Sequence, residues 1–128
     1  MIWLVPAIVG VVLLGLLLLV LMRRKKLPPA FKAQMQAAWA KLPQIQDPHR
    51  RILEAENILD AVFKKRGYQG TFADKLRAIG NDLPNVQSVW DAHKLRNRIA
   101  HEHGMTLSQH DIQQAMMAFE RALHSLLR

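Results

Sequence analysis

This sequence predicts an all-α fold, a four- to five-helix bundle behind one N-terminal transmembrane helix, on three observations. Residues 2–22 are an uncharged apolar run of 21 residues. Beyond them, apolar residues recur every three or four positions, and no segment alternates apolar with polar as a half-buried strand does. Breaks at LPP 27–29, PQIQDP 43–48, Gly67, Gly80 and Gly104 cut the chain into helix-length pieces.

The first element, residues 1–22, is expected to be a membrane anchor. At ~1.5 Å per residue, 21 helical residues span ~31 Å, the thickness of a bilayer's hydrocarbon core. A secretory signal would carry its positive charge before the apolar run and a small-residue cleavage site after it. Here Arg23, Arg24, Lys25 and Lys26 follow the run and nothing basic precedes it. By the positive-inside rule they predict an external N-terminus and a cytoplasmic C-terminal domain, single-pass in a prokaryotic plasma membrane, with lipid contacted through residues 2–22. Residues 23–47 then read as a basic juxtamembrane segment, a Pro-stiffened linker and a short amphipathic helix over 30–42. That helix gathers Phe31, Met35, Ala38, Trp39 and Leu42 on one side.

The bundle proper is expected over 48–128. Asp47 and Pro48 match a helix N-cap and first helical position, opening a helix to about Arg66. Its inward face is Ile52, Ala55, Ile58, Leu59, Val62 and Phe63, and Gly67 ends it. Thr71 caps a short helix through Ile79, closed by Gly80. Asn85 caps the next, from Val86 to about His103, with Gly104 as its stop. Thr106 or Ser108 starts the last, whose stripe is Ile112, Ala115, Met116, Phe119, Ala122, Leu123 and Leu126.

Charge and cysteine content bound the chemistry loosely. Four of the +8 net charges belong to residues 23–26, leaving 14 basic and 10 acidic side chains, a mild +4 compatible with a polyanionic partner. There is no cysteine, which excludes disulfides and thiolate metal sites. His101, His103, His110 and Asp111 match no zinc-helix spacing, so neither metal nor cofactor is expected.

One helix misfits its own pattern. On a wheel of ~100° per residue, Asp91, Lys94, Arg98 and Glu102 gather on a solvated face. Val89, Ala92, Leu95, Ile99 and Ala100 form a packing face, and Arg96 falls among them. His93, Asn97 and His101, spaced by four, run along its edge near Trp90. A structural explanation is an ion pair with Glu56 or Asp60, four apart at the edge of the preceding long helix's apolar face. A chemical one joins Arg96, Asn97 and His101 into one unit. Arg96 and His101 point about 140° apart on a regular helix, so a second copy of the helix is needed to bring both into one cleft. Such a cleft suits a phosphodiester, with guanidinium on the phosphate and imidazole moving a proton.

The stretch LRNRIAHEH, residues 95–103, resembles the Arg-x4-His signature of the HEPN superfamily of small helical-bundle domains, in which Asn often follows the Arg. Around it, residues 48–128 also match in helix order: a long helix ending in KKRG, a short one in TFADKLRAIG, the motif helix and a last amphipathic helix. The resemblance implies a homodimer acting as a metal-independent endoribonuclease. His101 would be general acid/base for the ribose 2′-hydroxyl, Arg96 would stabilise charge on the phosphate, and Asn97 would orient one of them. Lys94, Arg98, Lys64, Lys65 and Arg66 would hold the RNA backbone. The toxin branch usually carries Tyr two residues beyond the His; His103 stands there instead. Many members are noncatalytic, so the alternative expectation is a helical interaction or dimerisation module for an unidentified protein partner.

Overall fold

The computed structural model describes residues 2–22 and 26–128, apart from the side chains of residues 20–22. Six α-helices and no strand are found among the described residues: α1 Leu4–Met22, α2 Pro29–Ala40, α3 Pro48–Lys65, α4 Phe72–Ile79, α5 Val86–His101 and α6 Gln109–Leu127. Single 3-10 turns cover Leu42–Gln44 and Gly80–Asp82. The expected all-α bundle is therefore observed.

The expected transmembrane anchor is not borne out. Among the described residues no helix is long and apolar enough to cross a membrane. The physical shortfall is length: α1 has 19 residues rather than 21, ~28 Å at ~1.5 Å each. That is less than the ~30 Å of a hydrocarbon core. The single-pass placement, the lipid contact through residues 2–22 and the orientation drawn from the basic run are corrected with it. Arg23, Arg24 and Lys25 lie outside the described residues, while Lys26 is exposed. All described side chains of α1 are exposed, and none belongs to the core.

Local chemistry starts α3, α4 and α6 where the caps predict. The Asp47 carboxylate accepts the His49 backbone N–H, with Pro48 at the first position. Thr71 and Asp74 form a reciprocal capping box on α4. Ser108, rather than Thr106, accepts the Asp111 N–H at the start of α6. Asn85 departs from expectation: it precedes α5 but makes no cap. Its buried side chain instead donates Nδ2–H to the Ala118 carbonyl at 3.0 Å, tying the start of α5 to α6.

The core lies where α3, α5 and α6 pack, with α2 and α4 closing it. Ile52, Leu59, Val62, Phe63, Leu76, Val89, Phe119 and Leu123 are its largest fully buried side chains. The predicted stripes of α3 and α6 face inward throughout, with only Ile58 and Met116 half-buried. The stripe of α5 is shallower: Val89 and Ala92 are buried, Leu95 and Ile99 half-buried, and Ala100 exposed. The reason is that α5 ends early. Its last helical residue is His101, Glu102 is extended, and Gly104 turns the chain at φ +70°. The loop is then pinned back to the start of α3, where His49 Nε2 lies 2.8 Å from the Met105 carbonyl.

Candidate functional site

His93, Arg96 and Asn97 stand at i, i+3 and i+4 on α5, one helical face. Glu56 and Asp60 are i and i+4 on α3 and meet that face from the neighbouring helix. Together with Asn57, Thr71, Phe72 and Lys75 they line a half-open cleft of about 440 Å³ between α3, α4 and α5.

Glu56 is the centre of this arrangement. It is buried, at 4% exposure, so its charge needs partners. His93 Nδ1 lies 2.9 Å from Oε2, which places the imidazole proton on Nδ1, donating to the carboxylate. The ring is held in that orientation by Phe72, whose centroid lies 4.9 Å away. Asn97 Nδ2 is 3.3 Å from His93 Nε2, so the ring nitrogen opposite the carboxylate accepts from the amide.

Arg96 is bound differently. Its Nε is 3.2 Å from Glu56 Oε1, yet this N–H is buried and makes no hydrogen bond. The two statements agree once direction is considered: the charges are close, but the N–H does not aim at the oxygen. Nη1 reaches Asn97 Oδ1 only at 3.5 Å. A buried N–H left without an acceptor costs ~1–3 kcal/mol. The guanidinium is therefore attracted to Glu56 without being satisfied by it, and its side chain remains 30% exposed at the rim of the cleft.

Asp60, the other acid offered for Arg96, is taken by α4. Lys75 Nζ lies 2.8 Å from Asp60 Oδ1, with the Lys side chain 7% exposed. The cleft thus holds two carboxylates and two cations beside the His93 imidazole. Glu56 was identifiable in the sequence as a partner for Arg96. Its stronger bond to His93 was not, and neither was Lys75, which reads as a solvated residue of a short helix until α4 is folded against α3.

The other residues that the motif singled out are dispersed. His101 ends α5 and is exposed, with no hydrogen bond or ion pair among the described residues. It does not join Arg96 and Asn97 in the cleft. Lys94 and Arg98 line a separate groove between α5 and α6 with Asp91 and Asp111, and Arg98 lies 3.7 Å from Glu102 on its own helix. Lys64 and Lys65 are exposed at the end of α3, Lys65 standing 5.5 Å over the Phe31 ring. Arg66 borders a third hollow with Lys26, Lys32 and Arg128. Among the described residues no cluster of three or more His, Asp or Glu side chains is placed to hold a metal ion. No family model, no curated protein and no solved structure matches this chain.

Proposed function

We propose that residues 48–128 act as a HEPN-like, RNA-handling module that cleaves RNA as a homodimer without metal. Arg96 binds the phosphate and His101 of a second copy transfers the proton. The observation that carries this reading is the Arg96 guanidinium, 30% exposed at the cleft rim and without a directed hydrogen bond to Glu56. A guanidinium held near a carboxylate but lacking a directed acceptor gains hydrogen bonds when a phosphate oxygen arrives at the rim. Asn97 beside it supplies an amide for the same oxygen or for the incoming ribose.

The placement of the two side chains supports a second copy. His101 lies beyond the cleft at the end of α5, and the imidazole inside the cleft, His93, already spends both nitrogens on Glu56 and Asn97. The exposed position of His101 suits donation to a neighbouring chain. A noncatalytic interaction module is the second reading, favoured by the Arg96–Glu56 pairing within one bundle.

The test uses the full chain in mild non-ionic detergent, which the exposed apolar α1 requires. It is incubated with single-stranded RNA and EDTA, and cross-linking measures the oligomer. The first reading expects cleavage, its loss in His101→Ala and Arg96→Ala, and its partial return when those two variants are mixed. RNA that stays intact beside a stable dimer leaves only the noncatalytic module.

A further inference from the structure

The four polar side chains between α3 and α5 close a loop in which each assignment forces the next. The Glu56 carboxylate requires the proton on His93 Nδ1, 2.9 Å away. A neutral imidazole then leaves Nε2 bare, so Asn97 must turn its amino group toward it, at 3.3 Å. That orientation points Asn97 Oδ1 at Arg96 Nη1, 3.5 Å away. Arg96 Nε returns to Glu56 at 3.2 Å, undirected. Three links are set by donor and acceptor matching, and Arg96 is the loosest member.

We propose that Glu56, His93 and Asn97 are positioning residues for Arg96, and that the proton count of His93 decides whether the guanidinium is held or released. Adding a proton to His93 Nε2 turns an acceptor into a donor that faces the Asn97 amino group. Two donors cannot share that contact, so the amide reverses and offers Oδ1 to the imidazolium. Its amino group then faces Arg96 Nη1, again donor against donor. Arg96 loses its hydrogen bond inside the loop and turns outward to the rim, where an anionic oxygen can take both Nε and Nη.

The charged neighbours of His93 are known from every packed element. Glu56 faces it from α3, with Asp60 one turn on; Lys75 lines the same cleft from α4; Arg96 flanks it on α5. Protonating His93 leaves Glu56 with two cationic partners, which weakens its attraction for the guanidinium. The gate is confined to side chains: one amide rotation and one arginine rotamer, with no backbone movement.

This inference rests on Arg96 being the phosphate-binding group, and its test separates the two. In the full wild-type chain, side-chain 15N NMR at pH 7.5 is expected to show His93 protonated at Nδ1 alone. On lowering the pH to 5.5, the Arg96 Nε–H and Asn97 Nδ2 resonances are expected to move with the His93 titration. An Nε2–H tautomer at pH 7.5, or an Arg96 resonance indifferent to His93, overturns the proposal whether or not RNA binds. With RNA, wild type is expected to gain at least about fivefold more affinity between pH 7.5 and 5.5 than His93→Gln does. His101→Gln serves as the control for exposed histidines. Equal pH dependence in wild type and His93→Gln also overturns the gate. Absence of RNA binding at every pH sinks the RNA reading and leaves the gate to the NMR result.

Discussion

Replacing Glu56 with Gln keeps the side chain's shape and one acceptor while deleting its charge, and the two contacts it alters are unequal. The His93 bond, directed and 2.9 Å long, changes from a hydrogen bond to a charged group, worth ~1.5–3 kcal/mol, to a neutral one worth ~1. The loss there is about 1 kcal/mol. Arg96 is 3.2 Å away but undirected, and its side chain is 30% exposed. Solvent screening holds such a pair to about 1 kcal/mol or less. Glu56→Gln is therefore expected to lose about 2 kcal/mol, a fall in melting temperature of about 10 °C for a bundle of this size. Urea unfolding followed by far-UV circular dichroism measures it. A double-mutant cycle with Arg96→Met isolates the ion pair and is expected to give a coupling below about 1 kcal/mol. Stability within about 0.5 kcal/mol of wild type, or an Arg96 coupling above about 2, would show that Glu56 does not organise the site as described.

Three further outcomes follow from the same contacts. Asn85→Ala removes the bond to the Ala118 carbonyl and the unpartnered Oδ1 together, so it is expected to cost only about 1 kcal/mol. Asn85→Asp loses the donor and buries a carboxylate against a carbonyl, so urea midpoints should place it about 2 kcal/mol or more below the Ala variant. Gly70→Ala forces a Cβ to within 2.6 Å of Asp74 Oδ2 at φ +97°. It is expected to disrupt the capping box and lower the thermal midpoint by at least ~1 kcal/mol equivalent. The Thr71 backbone N–H, then its hydroxyl, then Arg77 hold the Asp74 carboxyl below its ordinary range. A depressed folded pKa gives stability that is present above the unfolded value and lost as pH falls through the folded one. The gap between wild type and Asp74→Asn, followed by urea titration, is therefore expected to be open at neutral pH and to close below about pH 4.

The helices of the bundle were legible because their signals are local. Asp47-Pro48, Thr71 and Ser108 start helices through bonds to their own first turns, and a 3.6-residue period sets which face is apolar. The misfit of Arg96 was legible for the same reason, since a wheel shows a cation in an apolar arc. Glu56 could be named as its partner because both stand on inward-leaning edges of long helices. The site's remaining members were not legible. Asp60 was expected to compete for Arg96, but α4 lies against α3 and delivers Lys75 to it. His93 was grouped with His101 by a spacing of four, yet the two separate because α5 reaches solvent at its last turn.

Sequence alone determined that this chain forms amphipathic helices, where most of them begin, and that Arg96 sits out of place on one of them. These depend on residues within one or two turns of each other. Tertiary structure decided which acid meets which base, that His93 takes the stronger hold on Glu56, and that Arg96 Nε is left without an acceptor. Those outcomes depend on the angle and depth at which α3, α4 and α5 pack, and no spacing along the chain encodes a distance between helices.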